Sequence, residues 1–327
     1  MSLSAPSQNA IAVTLHADGL SRRFGAHTAV DTIELELRHG EVLGFLGPNG
    51  AGKSTTMQML TGNLAPSAGS VSICGIDLLE NPVQAKAHIG YLPEIPPLYR
   101  ELNVTEFLDL VARLHRMPKA GRAAAVQRAC ERCGLGHVAR KLIGSLSKGY
   151  QQRVGIAQAI VHEPDVIILD EPTVGLDPNQ IREIRTLIRE LGTAHSVILS
   201  THILPEVEAI CDRVQIMHHG KMVYADTIAG LHQLHSGHTL LVGLNHPPDL
   251  AVLLAIPGVV HAEATGENLF RLHMDASDDP TSRIVALAAE RQWGLRQIAP
   301  AQTQLEDVFA NLTQRDEIPA ATKVEAK

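Results

Sequence analysis

Apolar and polar residues follow three different patterns along the chain. In the stretches AVTLHADGLSRRFG and IELELRHGEVLGFLG they alternate, which predicts an antiparallel β layer leading into a buried strand. The segments VTEFLDLVARLHRM and AAAVQRACERCG have helical spacing and predict a helical subdomain over about residues 95–150. Farther on, the apolar runs DVIILD and SVILS alternate with helical patterns. That order is typical of a parallel α/β core.

One helix of this core shows its buried face clearly, in the segment NQIREIRTLIRELG. Apolar residues recur there at three- and four-residue spacing and predict a single buried stripe. Gly192, at the end of the segment, predicts the end of the helix. The residues of the predicted stripe are Ile181, Ile184, Leu187, Ile188 and Leu191.

The pattern changes near Asp226, and a second domain is predicted beyond it. From Thr239 the order is strand, helix, strand, strand, helix and strand, with a last helix in TQLEDVFANL. This order predicts a small α+β domain of the ferredoxin-like kind. The predicted division is a flexible tail at 1–12, a nucleotide-binding core at 13–230, an accessory domain at 238–313 and a flexible tail at 314–327.

Composition and charge limit the partners. The net charge is −7, and aromatic residues make up 3% of the 327 residues. We expect no nucleic-acid partner, because such a partner needs a basic surface or stacking aromatic side chains. No apolar run reaches the roughly 18 residues of a membrane span, and the N-terminal segment lacks the features of a secretory signal. The sequence predicts a cytoplasmic protein that reaches a membrane only through a partner.

Two groups of potential metal ligands occur in the sequence. The CxxC pair Cys130 and Cys133 lies in a helical pattern without a second ligand pair nearby, so we expect reduced thiols without a redox or zinc role. Several histidines recur around the predicted linker, where a metal-sensing site competes with a simple polar linker. The polar linker is favoured, because no cysteine or carboxylate cluster joins them. These histidines are His218, His219, His232, His235 and His238.

The stretch GPNGAGKST has the spacing of a phosphate-binding loop. It follows the apolar run EVLGFL and precedes a helical pattern that Gly62 closes. Glycines let the backbone approach a polyanion, and successive N–H groups at the start of a helix attract phosphate. Lys53 is predicted to reach the β- and γ-phosphates, and Ser54 to ligate Mg²⁺. The nucleotide-binding candidates are Gly47, Pro48, Asn49, Gly50, Ala51, Gly52, Lys53, Ser54 and Thr55.

Two further segments add candidate catalytic residues. In VIILDEP, a buried strand delivers two carboxylates at its C-terminal end, where an α/β nucleotide site needs them. Asp170 is predicted to hold Mg²⁺ through water, and Glu171 to orient or polarise the attacking water. In STHIL, His202 follows the next predicted strand and could contact the γ-phosphate.

With the segment LSKGYQQRV added, the motifs form a specific set. Over about residues 10–230 the chain resembles the ATP-binding subunits of ABC transporters, with the motifs in the order of that family. The segments YLPE, DEPTVGLDPNQ and ICDRV resemble the branch that serves ABC-2-type exporters, most of all its gliding-motility-type subunits. The resemblance matches Phe24 to the adenine-stacking aromatic, Glu94 to the Q-loop, Ser147, Lys148 and Gly149 to the signature motif, Asp177 to the D-loop and His202 to the switch histidine.

The resemblance implies a fold and a mechanism. The fold is a P-loop NTPase core with an antiparallel β subdomain and a helical subdomain. Two subunits, identical or similar, pair head to tail and clamp ATP between the phosphate loop of one and Ser147–Gly149 of the other. ATP binding and hydrolysis then drive a separate polytopic permease of the ABC-2 type, with the subunit on the inner face of the cell membrane.

Two positions depart from the family pattern. Glu94 stands where glutamine is usual, and its carboxylate could still contact a magnesium-bound water as part of the metal site. Lys148 and Tyr150 replace usual signature residues, whereas Ser147 and Gly149 remain. We expect Lys148 to add positive charge near the phosphates bound by the opposite subunit.

Other functions remain open at this point. A soluble ABC ATPase of translation or DNA maintenance usually has two nucleotide domains, coiled coils or a basic surface, and this chain has a single motif set and an acidic balance. A P-loop kinase or switch GTPase has no use for the signature segment or for STHIL. The accessory domain could bind a regulatory ligand, but a packing or dimerisation role is favoured.

Overall fold

The computed structural model describes residues 12–231, 239–266, 268–275 and 278–300. It divides the chain into two compact units, 1–226 and 227–327. The predicted tails, apart from residue 12, lie outside the described residues, as do the last predicted helix and three of the linker histidines. No helix in the described part of the chain is long and apolar enough to cross a membrane.

The first unit begins with long strands and continues as alternating strands and helices. Its strands are β1 (Val13–Phe24), β2 (His27–Arg38), β3 (Val42–Leu46), β4 (Ala68–Ile73), β5 (Ile76–Asp77), β6 (Ile89–Leu92), β7 (Val166–Asp170), β8 (Ser196–Thr201), β9 (Arg213–His218) and β10 (Lys221–Thr227). Its helices are α1 (Lys53–Leu60), α2 (Pro82–Ala87), α3 (Val104–Leu114), α4 (Lys119–Arg132), α5 (Lys148–Ile160), α6 (Pro178–Gly192) and α7 (Leu204–Ile210), with short 3₁₀ turns at Gly136–Val138 and Ile143–Ser145.

Two sheets build this unit. The four-stranded sheet has the order β2-β1-β4-β5, and all of its pairs are antiparallel. The six-stranded sheet has the order β10-β9-β3-β8-β7-β6, and the pairs from β9 to β6 are parallel. Side chains from both sheets and from α1, including Leu35, Phe45 and Met57, form one buried core. The predicted α/β core with an antiparallel β layer is confirmed.

The central strands are buried along their whole length, as their apolar sequences predict. Every residue of β3, β7 and β8 is buried. Because these strands are parallel, their carboxyl ends meet at one edge of the sheet. That edge presents the loop after Leu46, the acids at the end of β7 and the histidine after β8.

The two predicted helices of the helical subdomain are α3 and α4. Asn103 begins α3 with a capping box: its side chain accepts from the backbone N–H of Glu106, whose carboxylate accepts from the backbone N–H of Asn103. The CxxC motif lies at the end of α4, with both thiols free and buried. Neither belongs to the group of possible metal ligands that the described residues bring together.

Helix α6 ends at Gly192, as predicted, but the glycine serves a different purpose. The C-cap is Thr193, which has right-handed helical backbone angles. A Cβ at Gly192 would lie 2.4 Å from Cγ2 of Val42, so the glycine is needed for close packing of α6 against β3. In the predicted stripe, Ile181 is half-buried and the other four residues are buried.

The second unit has the predicted ferredoxin-like order. Its elements are β11 (Thr239–Leu244), α8 (Leu250–Leu254), β12 (Val259–Gly266), β13 (Leu269–Met274), α9 (Thr281–Glu290) and β14 (Leu295–Pro300). The strands form one antiparallel sheet in the order β12-β13-β11-β14. The central strands β11 and β13 each begin a β–α–β connection, and the edge strands β12 and β14 each end one. Val242, Phe270, Ile284 and Trp293 lie in its own hydrophobic core.

Candidate functional site

The glycine-rich loop lies between β3 and α1. Gly50 and Gly52 have φ of +81° and +109°, a region that disfavours other residues. A Cβ at Gly52 would also lie 2.5 Å from the carbonyl oxygen of Ala29, whereas nothing lies within 4 Å of the corresponding position at Gly50. Gly52 is the N-cap of α1 and provides no side-chain hydrogen bond. The first N–H groups of α1 are thus left to a ligand or to water.

Lys53 is buried within this loop, with 6% of its surface exposed. Its Nζ donates to the carbonyl oxygens of Gly47 at 2.8 Å and Pro48 at 3.3 Å. It also lies 3.3 Å from Oε1 of Glu171, which is equally buried. The ammonium group is therefore held in the loop by two carbonyls and one carboxylate.

Glu171 follows β7 directly and has an unusual backbone. Its φ is +49°, and its N–H donates to the carbonyl oxygen of Ser200 at 2.9 Å. This geometry turns the carboxylate back over the sheet edge, where Nδ1 of His202 lies 2.9 Å from Oε2. One carboxylate is thus shared by Lys53 and His202. Positive φ in a residue of this kind is a strain that is often found at functional sites.

Asp170 is the last residue of β7 and is almost completely buried. Its Oδ1 has no hydrogen-bond partner among the described residues. Burial raises the pKa of Asp170, and the nearby hydroxyls of Ser200 and Ser54 partly offset the rise. A buried carboxylate oxygen without a partner, next to a serine hydroxyl, fits a divalent cation such as Mg²⁺, which prefers oxygen ligands.

A cleft of about 550 Å³ opens over these groups. It is lined by Phe24, His27, Ala29, Asn49, Gly50, Gly52, Lys53, Ser54, Thr55, Glu94, Glu171, Val174 and His202. The structure thus brings together the predicted aromatic, phosphate-loop, Q-loop and catalytic residues from five separate stretches of sequence. Gly47, Pro48 and Ala51 belong to the same loop but do not line the cleft.

Four of the predicted nucleotide-contacting residues lie elsewhere in the chain. Ser147 begins α5, and its hydroxyl accepts from the N–H of Tyr150 at 3.5 Å. Lys148 lines a separate cleft. Gly149 packs against Gln180. Asp177 begins α6, and its Oδ1 accepts from the N–H groups of residues 179 and 180 at 3.0 Å each. Their nucleotide contacts therefore stay a prediction that requires a second subunit.

The structure also adds residues that the sequence analysis missed. Glu206 is buried at the start of α7, where its carboxylate accepts from the hydroxyls of Thr173 at 2.6 Å and Thr201 at 3.0 Å. Thr173 lies two positions after Glu171, and Thr201 directly precedes His202. Each threonine is therefore close in sequence to a candidate catalytic residue. The guanidinium of Arg22 lies 4.7 Å from the centre of the Phe24 ring. Its place two residues before Phe24 on β1 was the sequence signal for this contact.

Comparisons with known proteins agree with this site. The sequence model described as "ABC transporter" matches residues 30–174, and one described as "AAA domain, putative AbiEii toxin, Type IV TA system" matches residues 142–207. The bacitracin transport ATP-binding protein BcrA of Bacillus licheniformis is 39% identical over 62% of this chain and 66% of its own length. The linearmycin resistance ATP-binding protein LnrL of Bacillus subtilis (strain 168) is 31% identical over 92% of this chain and 98% of its own.

A solved structure has the same fold as about two thirds of this chain. It is described as the structure of an ATP-binding subunit of an ABC transporter, with a TM-score of 0.62, 31% identity and coverage of 68% of this chain and 92% of that one. The chain belongs to the family of ATP-binding proteins of ABC transporters. It is an ATPase of the kind that hydrolyses ATP to power transport. The comparisons do not favour a soluble non-transport ATPase.

Proposed function

We propose that this protein is the ATP-hydrolysing subunit of an ABC-2-type exporter of the gliding-motility-like branch, acting from the cytoplasmic face of the membrane on a separate permease. The observation that carries the proposal is the arrangement of Lys53, Glu171 and His202 beside a glycine cradle and the unpartnered Oδ1 of Asp170. The export direction is supported by the relatives named for bacitracin transport and linearmycin resistance.

The phosphate loop holds the triphosphate of ATP. The N–H groups of this loop and of the first turn of α1 contact the phosphate oxygens, apart from that of Ala51, which donates to the carbonyl oxygen of Pro48. Lys53 turns from Glu171 towards the β- and γ-phosphates. Phe24 is about half exposed at the cleft and stacks on the adenine ring. ATP binding therefore exchanges the Lys53–Glu171 ion pair for an ion pair between Lys53 and phosphate.

Ser54, Asp170 and Glu94 are the residues that would hold Mg²⁺. The Ser54 hydroxyl would be a ligand, and the carboxylates of Asp170 and Glu94 would attract the cation and its water ligands. When bound, Mg²⁺ supplies charge neutralisation of the phosphate oxygens. Glu94 carries a negative charge where the family pattern has a neutral glutamine. The site therefore attracts a cation more strongly.

Glu171 and His202 act on the hydrolytic step. Once Lys53 has left, the Glu171 carboxylate is free to accept a hydrogen bond from the attacking water and to orient it towards the γ-phosphate. His202 keeps the carboxylate oriented through Nδ1 and contacts the γ-phosphate side of the cleft. The Lys53–Glu171 pair delays this arrangement until nucleotide arrives.

A second subunit completes the site. Ser147, Lys148 and Asp177 are exposed and do not line the cleft of their own chain. In a head-to-tail dimer, the signature segment and the D-loop of each subunit close over the ATP of the other. Lys148 adds positive charge there, and the start of α5 offers its N-terminal N–H groups to the γ-phosphate.

The permease contacts the segment after Glu94 and the helical subdomain. Ile95 and Tyr99 are large apolar side chains with 82% and 51% of their surface exposed, which is typical of a docking surface. Hydrolysis in the dimer moves this surface, and the permease follows it.

The experiment is to isolate the tagged protein from detergent-solubilised native membranes and to identify its partners by mass spectrometry. The expected result is a polytopic membrane protein that is isolated with the chain in a fixed ratio. Ile95→Asp should reduce the yield of that protein, whereas the control Val83→Asp, at another exposed apolar residue, should not. If only soluble proteins or ribosomes accompany the chain, the transport proposal is wrong although the ATPase activity stands.

A further inference from the structure

Three possible metal ligands of different chemistry meet at the edge of the core sheet opposite the nucleotide cleft. They are Cys74, His88 and Asp165, and one ligand atom of each lies within 4.8 Å of the other two. Nδ1 of His88 is 2.6 Å from Oδ2 of Asp165. We propose that this group, the edge triad, binds a thiophilic divalent cation of the Zn²⁺ class.

The core sheet fixes two members of the edge triad. His88 and Asp165 directly precede the neighbouring parallel strands β6 and β7, in which Ile89 lies opposite Val166. The N–H of Val166 donates to the carbonyl oxygen of His88 at 3.0 Å, and the N–H of Ser196 donates to that of Asp165 at 2.9 Å. Their backbones are therefore held in register before any ligand binds.

The third member comes from the antiparallel sheet and occupies a turn position that disfavours cysteine. Cys74 and Gly75 form the two-residue turn between β4 and β5, where Ile73 pairs with Ile76. Both turn residues have positive φ, +49° for Cys74 and +77° for Gly75. Turns of this type strongly prefer asparagine, aspartate or glycine at the first position. Metal ligation gives a physical reason for a thiol at a strained position.

The chemistry of the donor set fits Zn²⁺. Sulfur, imidazole nitrogen and carboxylate oxygen are its usual ligands, and three protein ligands with a water molecule complete a tetrahedral site. With bonds of roughly 2.0 to 2.3 Å, the ligand atoms lie roughly 3.3 to 3.5 Å apart, which rotations of these side chains can reach. A thiolate and a carboxylate also balance the charge of a divalent cation.

The thiol must lose a proton on binding. Without a cation the Cys74 thiol is protonated at neutral pH, as ordinary cysteine thiols are, and only the thiolate is a metal ligand. Cation binding releases that proton, and affinity therefore rises with pH. Mg²⁺, which prefers oxygen ligands, does not compete well for such a site.

Other histidines near this edge do not join the group. Nε2 of His162 lies 3.0 Å from the carbonyl oxygen of Ile89. Nδ1 of His195 lies 2.6 Å from the carbonyl oxygen of Pro164, and its Nε2 lies 3.0 Å from the guanidinium of Arg132. The edge triad therefore has three ligands, and its fourth position opens to solvent.

The position of the edge triad indicates which part of the fold a bound cation would stabilise. It connects the β4–β5 turn of the antiparallel sheet to the beginning of β6 and β7 in the core sheet. Asp170 lies at the other end of β7, roughly 15 Å away. Cation binding at the edge triad should thus stabilise the junction of the two sheets, independently of ATP and Mg²⁺.

The test is a competition titration of the reduced, metal-free full chain with Zn²⁺ against a chromophoric chelator. We expect one equivalent of tight binding and, with Co²⁺, a thiolate charge-transfer band in the near ultraviolet. Cys74 is exposed, whereas the other three cysteines are buried. Zn²⁺ should therefore protect a single fast-reacting thiol from Ellman's reagent.

Matched variants assign the site. Cys74→Ser and His88→Gln should each weaken binding at least about tenfold. The controls Cys130→Ala and His137→Gln, and a triple His→Gln change at His232, His235 and His238, should bind as the wild type does. The proposal is overturned if the wild type binds no Zn²⁺, or if binding survives Cys74→Ser. Should a variant fail to fold, thiol protection and the cobalt spectrum of the wild type decide.

Discussion

Oε1 of Glu171 lies 3.3 Å from Nζ of Lys53, and both side chains are buried. In the proposed mechanism these two groups do separate work, since Lys53 binds phosphate and Glu171 orients water. Their contact means that the two charges compensate each other in the chain without nucleotide. In that mechanism ATP binding must break this pair, and the Glu171 carboxylate becomes available only when substrate is present.

The ion pair predicts a non-additive effect on stability. Lys53→Met leaves the buried Glu171 carboxylate without its cation, and we expect a loss of about 2 to 4 kcal/mol in the free energy of unfolding of the nucleotide-free protein. Adding Glu171→Gln removes that charge and should restore much of the loss. Urea unfolding of the wild type, both single variants and the double variant measures the coupling. Additive losses would show that the pair does not contribute to stability.

The raised pKa of Asp170 predicts that its ionised carboxylate lowers the stability of the metal-free protein in a pH-dependent way. Its folded-state pKa is raised above the ordinary 3.8, so its contribution to stability is favourable below 3.8 and is lost as the pH rises through the raised value. At pH 7, Asp170→Asn should therefore stabilise the metal-free protein, and the gain should vanish towards pH 4. The measurement is the free energy of unfolding against pH.

The same Asp170 variant should behave in the opposite way with substrate. The wild type gains stability from Mg²⁺ and ATP together, because ligands that bind the folded state stabilise it. The variant, which lacks the carboxylate, should gain much less. Equal gains in the two proteins would remove Asp170 from the metal site.

Glu206 predicts an effect on turnover without contact to the nucleotide. Glu206→Ala leaves the hydroxyls of Thr173 and Thr201 without their acceptor and should cost about 2 kcal/mol in the free energy of unfolding. It should also lower kcat at least about tenfold, because these threonines adjoin Glu171 and His202. Steady-state kinetics should show KM changed much less, since the phosphate loop is not part of the network.

Two threonine variants serve as controls for the Glu206 network. Thr173→Val and Thr201→Val each remove one hydrogen bond to Glu206 and should lower kcat less than Glu206→Ala does. Unchanged kcat in all three variants would mean that the network has only a structural role.

The position of Phe24 at the cleft predicts that its ring recognises the adenine base of ATP. Phe24→Ala should weaken ATP binding by roughly 1 to 2 kcal/mol in binding free energy, because a stacking platform for the adenine ring is lost. Phe24→Tyr should bind ATP as the wild type does. Calorimetry with ATP and with inorganic triphosphate distinguishes lost base stacking from a damaged phosphate loop. Phe24→Ala should weaken the binding of ATP but not the binding of triphosphate. A loss of triphosphate affinity would indicate damage to the phosphate loop.

Local patterns predicted the elements because burial and local sequence agree in them. The strands β3, β7 and β8 are uniformly apolar and uniformly buried, and the loop GPNGAGKST carries its own chemistry. The ferredoxin-like order in the second unit could likewise be derived, since each strand and helix has a clear period.

The relations between distant residues could not be predicted in this way. The contact of Glu206 with Thr173 spans 33 positions and depends on how α7 lies against the end of β7. The ion pair between Lys53 and Glu171 depends on the positive φ of Glu171, which no local signal announces. Gly192 was predicted as a helix end, but its packing against Val42 depends on the tertiary fold.

The most direct test of the mechanism is the rate of ATP hydrolysis and the oligomeric state of Glu171→Gln in ATP and Mg²⁺. The account predicts that ATP binding is retained, that turnover falls at least about a hundredfold, and that light scattering detects a stable dimer. A matched change at exposed Glu183, Glu183→Gln, should leave turnover at the wild-type rate. Wild-type turnover in Glu171→Gln would contradict the role of this carboxylate and the account of the site built on it.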